Sequence, residues 1–563
     1  MLVNPLEWPI FVRHVVRRPW HGFRYALELA ALVGRRLVLQ RRLRRQQDPH
    51  KGSKQRPDWL PPARHREERA PVPFCLPSLT VRGVMPVVPN VAFKDDDQEA
   101  VYQQHRWGCC IRALGDEKAA RLALRDALAW IARAPELTHP AWEAYSSSER
   151  VANLAVLLAV YPNLLADDEH AAVFRFLCQS AAWIDGHLEY YGPVRTNNHF
   201  LNNARALVLA GVMTSCQAWV DTGLEITRRF APLLFPEDGC LREGASHYQL
   251  VVAGWLFDVL AFSRGVVQDN DLLELECLAL QVGNACARFA AILPGADMHI
   301  GDISPDLHPQ LSLARLQLLY PERMVLAQDR GRLGDWLFAR RGPDALVARA
   351  VGGWPCPYTT HEHPDLGAFV WLRQSQWVLV DPGRASYVSC ASTSAQIEAA
   401  AHNVMLVNGR GGLAESVLSA GIWRPLPYAA VLVDRRSNAD GIEIEHDGYA
   451  RLAGAGRYTR SVRMKDDALE VTDHLEGCGL FDIDVLWHFA PGFLESGQLR
   501  VSSATGSVRV DVTGPENGCW KWGDYLYSDA YGRTELAKCL RFSWQASLPC
   551  KIQTNFIFAP CAE

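Results

Sequence analysis

The spacing of the apolar residues changes once along this chain, near residue 347, and no single architecture accommodates both spacings. From about Asp95 to Arg340 apolar residues recur at i, i+3, i+4 and i+7. The blocks are 116–134, 148–162, 168–189, 199–215, 219–234, 247–265 and 271–293, separated by short polar or Pro/Gly breaks, and each predicts an amphipathic helix. Past Val347 the period is two. AFVWL (368–372) and WVLVD (377–381) flank Arg373-Gln374-Ser375-Gln376 as a hairpin, and alternating runs follow at 428–433, 441–445, 458–464, 468–473, 482–488, 507–512 and 552–558. Successive helical hairpins build either a solenoid or a closed α/α toroid, and spacing leaves both open. Many short strands with turn signals between them predict an antiparallel β-sandwich. The fold class is therefore α+β multidomain. Residues 1–94 read as a basic helical arm and extended linker, 95–345 as the helical domain and 346–563 as the sandwich.

Composition narrows the function classes. With 563 residues the chain needs more than one core, and a formal charge of -4 predicts no nucleic-acid partner. The basic arm carries Arg35, Arg36, Arg41, Arg42, Arg44 and Arg45. It reads either as a membrane-surface contact or as a solvated helix. No stretch has the roughly 20 uncharged apolar residues of a membrane span. The start, MLVNPLEWPIFVRHVV, lacks a basic segment ahead of an apolar one, so no secretory signal is expected. Fifteen cysteines, an odd number without a CxxC pair, suit a reduced compartment. The cytoplasm is the expected location, with the periplasm as the alternative. The chain's 18 tryptophans serve either as core or as stacking platforms for sugars.

Polar residues gather in four places. RTNNHFLNNARALVLAG (195–211) sets four asparagines at one helix start, where their amides compete with the backbone. Asn197 is either an N-cap or part of a site. EDGCLREGASHYQL (237–250) holds Glu243, Ser246 and Tyr248, with Glu243 either a capping carboxylate or a site residue. His361-Glu362-His363-Pro364-Asp365 precedes the first expected strand, and Ala401-His402-Asn403 precedes VMLV. His361-x-His363 in extended backbone puts both rings on one side. With Asp381 and His402 it offers donors that suit Zn²⁺ better than Ca²⁺, or else it is a solvent-facing pair. Gly301-Asp302, in MHIGDISPD, is either only a turn or part of the site. Tyr, His and Asn without a Ser-His-Asp triad or phosphate loop fit proton abstraction beside a carboxylate, whose developing charge amide and imidazole donors would stabilise.

The ordered set WEAYSSSERVAN, RTNNHFLNNARALVLAG, EDGCLREGASHYQ, HIGD, HEHPDLGAFVWL, WVLVDPGRASY, AAAHNVMLVNG and HDGYARLAG, from about Trp142 to Pro491, resembles the heparinase II/III-like polysaccharide lyase family. The resemblance implies an incomplete α/α toroid followed by an antiparallel β-sandwich. It implies that Asn198 and His199 neutralise a uronate carboxylate, that Tyr248 is the general acid or both acid and base, and that His361 is the histidine base. His363, Asp381 and His402 match the family's metal ligands, usually zinc, which shape the sandwich. Asn197, Asn202, Glu243, Arg384 and Tyr449 are the expected substrate contacts. The sequence departs from the family pattern at Asn202, where some members have glutamate, at Ser246, one place later than in many relatives, and at Arg384. The implied activity is β-elimination on an acidic polysaccharide, in bacterial surface or exopolysaccharide metabolism. The alternative is a glycan-modifying or glycan-binding protein of an assembly pathway. Oligomeric state is not legible.

Overall fold

The computed structural model describes residues 12, 13, 16, 56–63, 70–71, 74–88, 107–191, 196–236, 238–292, 300–326, 330–351, 361–388, 391–414, 417–418, 422–423, 433–514 and 517–560. The basic arm over 1–48, apart from Val12, Arg13 and Val16, and the run read at 428–432 lie outside the described residues.

Nine helices build the first part among the described residues: α1 (Gly108–Arg112), α2 (Glu117–Ala132), α3 (Ala144–Val160), α4 (Asp167–Gly186), α5 (Asn198–Met213), α6 (Gln217–Leu234), α7 (Ser246–Ser263), α8 (Leu273–Ile292) and α9 (Pro309–Leu319). Two kinds alternate. In α3, α5 and α7 almost every residue is buried, so these helices lack a solvent face. By contrast, α2, α4, α6 and α8 each bury one side. Accordingly α3 packs on α5, α5 on α7 and α7 on α9 as an inner row, while α2 lies against α4 and α6 against α8 outside it. This is the two-layered arc of an incomplete α/α toroid. Gly223 lets α6 approach α5 closely, since a Cβ there would stand 2.6 Å from the carbonyl oxygen of Ala204.

A buried ionic cluster pins the inner row. Arg205 of α5 reaches Asp258 of α7 at 2.7 Å and Glu149 of α3 at 2.9 Å, with all three side chains almost fully enclosed. Arg315 of α9 and the Tyr320 hydroxyl also bond Asp258. Asn202 belongs to this cluster, its Oδ1 accepting from Arg205 Nη1 at 3.3 Å. The sequence reading of Asn202 as a substrate contact does not match this placement: the side chain is fully buried against Arg205.

The strands begin at Gly331, ahead of the boundary read at 346. β1 (Gly331–Leu333), β2 (Trp336–Arg341), β3 (Asp344–Arg349), β4 (Phe369–Arg373) and β5 (Gln376–Leu379) form one antiparallel sheet in that order. Its inner face, with Leu337, Leu346 and Trp371, stacks on a ten-stranded sheet centred on the pair Ala468–His488 and Glu535–Pro560. Its outer face, with Trp336, Phe338, Val347 and Val370, joins the helical core, where Phe289 of α8 meets Phe338 at 5.1 Å. Both faces are covered, and β3 is buried at every position. A strand covered on both faces shows no polar alternation, which is why the sequence period hid β2 and β3. The runs read at 468–473 and 482–488 are one 21-residue strand, interrupted by a register shift between Leu475 and Gly479. No helix among the described residues is long and apolar enough to cross a membrane.

Replacing Asp258 by Leu leaves Arg205 and Arg315 as buried cations without their shared carboxylate. The expected loss is about 3–5 kcal/mol of folding free energy, read as a lowered urea midpoint.

Candidate active site at the domain junction

Five segments converge where the arc meets the first sheet: the start of α5, the start of α7, Ile300–Asp306, His361–Asp365 and Pro382–Tyr387. At the mouth of α5 the four asparagines have four different tasks. Asn197 is the N-cap, its side chain accepting from the His199 backbone N–H at 3.2 Å. The Asn198 backbone N–H donates to Glu243 Oε1 at 2.8 Å and its side-chain amide donates to Oε2. The same amide nitrogen lies 3.3 Å from His361 Nε2. Asn202 serves the ionic cluster. Asn203 accepts from the Glu189 backbone N–H at 2.8 Å and donates to Glu189 Oε2 at 3.2 Å. Glu189 in turn accepts from His199 Nδ1 at 3.1 Å, and the His199 ring packs on Tyr145 at 4.2 Å. Burial alone would lower the His199 pKa, but the Glu189 carboxylate outweighs it and holds the imidazole above its ordinary value. Burial pushes the Glu243 carboxyl up, against the opposing effects of His361 and the Asn198 donors.

Asp302 is the hub. Gly301 adopts φ 81°, and a Cβ there would stand 2.7 Å from the His361 carbonyl oxygen, so only glycine lets the two segments approach this closely. The Asp302 backbone N–H donates to that carbonyl at 2.9 Å. Its carboxylate meets His361 Nδ1 at 3.2 Å, His363 Nε2 at 2.9 Å and Arg384 Nη1 at 3.2 Å. Burial would raise its pKa, but Arg384 and the two histidine hydrogen bonds hold it well below the carboxylate range. An ionised Asp302 fixes the proton of His361 on Nδ1 and leaves Nε2 as the basic nitrogen, facing Asn198. Of the two readings of Gly301-Asp302, the carboxylate's contacts favour a place in the site over a turn alone. Arg384 likewise is not a free cation for substrate; it is spent on Asp302, and its guanidinium lies 4.5 Å over the Tyr387 ring.

The His361 ring lies flat on Tyr248, with centroids 3.6 Å apart and planes 11° from parallel. The Tyr248 hydroxyl is 2.7 Å from that of Tyr387, which is 3.3 Å from His361 Nδ1. Asn198, His199, Glu243, Tyr248 and His361 thus come together although 163 positions separate Asn198 from His361. Tyr449 does not join them. It is buried in the sandwich, donating to the Met405 carbonyl and packing on Tyr458. Asp302, Tyr387 and Glu189 are the members that the sequence reading did not assign. HIGD and DPGRASY contained the first two, but nothing in either motif says where its carboxyl or phenol will point.

The residues expected to hold a metal also meet. Donor atoms of His363, Asp381 and His402 lie within 4.8 Å of one another, all buried. His402 Nδ1 is 2.7 Å from Asp381 Oδ2, and the two imidazole rings are 5.1 Å apart. His363 Nε2 is taken by Asp302, while its buried Nδ1 has no hydrogen-bond partner. A buried nitrogen so placed, beside a second imidazole and a carboxylate, is a donor set that fits a tetrahedral Zn²⁺.

Residues 328–536 match the family model described as heparinase II/III-like, C-terminal. No curated protein matches the chain by sequence. Among solved structures it is similar to heparinase III at 14% identity with a TM-score of 0.62, covering 84% of this chain and 79% of that one. It is also similar to the heparinase III described as the BT4657 gene product, at 15% identity and a TM-score of 0.56, covering 84% and 80%. A mutant of the heparan sulfate lyase HepC from Pedobacter heparinus follows at 13% and 0.50, covering 84% and 78%. At these identities the likeness is one of fold, and it extends the heparinase-like architecture over both the helical arc and the sandwich.

The His199–Glu189 pair gives a pH signature. Because the folded pKa of His199 is raised, its contribution to stability is complete below about pH 6.5 and fades as pH rises through the folded value. The melting-temperature gap between the wild type and Glu189→Gln is therefore expected to be wider at about pH 5.5 than at about pH 9. NMR titration of His199 should show its pKa falling in the variant.

Proposed function

We propose that the protein is a polysaccharide lyase that cleaves a uronate-containing polymer by β-elimination. The observation that carries this reading is the stack of Tyr248 on His361 across the domain junction, with the Asn198 amide beside it. Elimination needs three things at one sugar ring: charge neutralisation at the C6 carboxylate, a base at C5 and an acid at the oxygen on C4. His199, held toward its cationic form by Glu189, and the Asn198 amide supply the first. Tyr248 carries the proton transfers, taking the C5 proton as a phenolate and giving a proton to the C4 oxygen, with the His361 ring stacked against it. As the base takes the C5 proton, the C5–H electron pair becomes the C4=C5 double bond. The C4–O bond breaks, and the departing oxygen takes a proton from Tyr248. The heparinase III and heparan sulfate lyase folds, and the heparinase-like C-terminal domain, support an acidic polysaccharide as the substrate class.

The reading is tested with purified protein and a panel of uronate polymers, following the ultraviolet absorbance of the 4,5-unsaturated product. Tyr248→Phe should lower the rate by about 10²–10⁴-fold. A flat trace on every polymer overturns the proposal. Products altered in mass but lacking the chromophore would favour a glycan-modifying enzyme instead.

His363, Asp381 and His402 would hold a Zn²⁺ whose contribution is to fix the segments that carry them. Metal analysis should find about one equivalent, and His363→Ala should lose it with a fall in melting temperature. Full occupancy in that variant would remove His363 from the site.

A further inference from the structure

The geometry points to Tyr387 as the residue that sets the ionisation of Tyr248, by donating its phenolic proton to the Tyr248 oxygen. This deepens the lyase reading, on which its catalytic meaning rests, but the hydrogen bond can be tested without it.

The direction of the bond follows from the neighbours. Tyr387 has two hydrogen-bonding partners for its hydroxyl, Tyr248 Oη at 2.7 Å and His361 Nδ1 at 3.3 Å. The Asp302 carboxylate lies 3.2 Å from that Nδ1 and is kept anionic by Arg384 at 3.2 Å, so His361 carries its proton there. A protonated Nδ1 cannot accept. The Tyr387 proton is left with the Tyr248 oxygen, and the Tyr387 oxygen faces the His361 N–H. The His361 proton belongs to Asp302, and the link from Tyr387 to Tyr248 stabilises a phenolate at Tyr248. Burial, and then the charge of Asp302, push the Tyr387 phenol up, which keeps it the protonated member of the pair.

The backbone holds Tyr387 in place. Its N–H donates to the Tyr531 hydroxyl at 2.9 Å, its ring carries the Arg384 guanidinium at 4.5 Å, and it sits on the segment that follows Asp381. The charged and titratable groups facing the two phenols are Asp302, Arg384 and His361, with Tyr531 behind. In the elimination, Tyr248 as a phenolate takes the C5 proton and then returns a proton to the C4 oxygen. Tyr387 keeps its own proton throughout and lowers the cost of the charged form. It is a positioning residue rather than a group that meets the sugar.

The test uses the full chain with tyrosine labelled at the ζ carbon and follows each phenol by NMR as pH rises. Tyr248→Phe identifies the Tyr248 signal. In Tyr387→Phe the Tyr248 ionisation is expected to move up by about one pH unit or more, with the melting temperature held. An unchanged Tyr248 titration overturns the assignment. If the variant does not fold, 3-fluorotyrosine at position 387 keeps the shape and strengthens the donor. The Tyr248 ionisation should then move down, and no movement overturns the assignment equally. On an active polymer, the acidic limb of the kcat/KM profile should shift upward in Tyr387→Phe by the same step, with KM unchanged. Absence of turnover on any polymer sinks the lyase reading alone, because the phenol titration still decides the pair.

Discussion

The Asp302 carboxylate is the constraint on which the junction depends. It is a single anion, enclosed on every side, that two histidines and an arginine from the β-half all address. Removing an ion from water is costly, and the cost is offset only when its lone pairs are filled. Asp302 fills them with the residues that must be oriented. One carboxylate therefore fixes the tautomer of His361, occupies one nitrogen of His363 so that the other faces Asp381 and His402, and fixes Arg384 above Tyr387. The candidate chemistry and the candidate metal site are thereby coupled through one side chain.

A second anion, Glu243, works the same way from the helical side. It accepts from the Asn198 backbone N–H and from one N–H of the Asn198 side-chain amide, and lies within 3.5 Å of His361 Nε2. His361 is thus held between two carboxyls of opposite tendency: Asp302, kept ionised by its cation, and Glu243, pushed toward its protonated form by burial. Paired carboxyls with pKa values driven apart are a common way to give one imidazole a defined donor side and acceptor side.

Much of this was legible in the sequence, and the gaps have physical causes. The outer helices of the arc stood out because each keeps a polar face, and the inner ones because their apolar runs are too long for strands and end at polar or Pro/Gly breaks. The hairpin of β4 and β5 stood out because its turn is polar. β2 and β3 did not, because covering both faces of a strand erases the period that reveals it. Asn198, Tyr248 and His361 were legible as residue types near element ends, and through motif order. Asp302 was not, because a Gly-Asp pair reads the same whether the carboxylate meets water or two imidazoles and a guanidinium. Tyr449 misled in the opposite sense, since a tyrosine in a Gly-bounded motif gives no sign that its hydroxyl ends on a backbone carbonyl inside the sandwich. Asn202 misled because a run of asparagines invites a common explanation, and here each has its own.

The middle layer has a further consequence. The sheet of β1 to β5 supplies Phe338, Val347 and Val370 to the helical core and Leu337, Leu346 and Trp371 to the sandwich core. Neither half owns it. Cutting the chain where the sequence changes period would strip one face of an apolar sheet, leaving two sticky fragments rather than two modules. Nor can the halves swing apart as rigid bodies without wetting that layer. Whatever reaches the junction meets a fixed layered centre, and change in its outline is left to the loops around it.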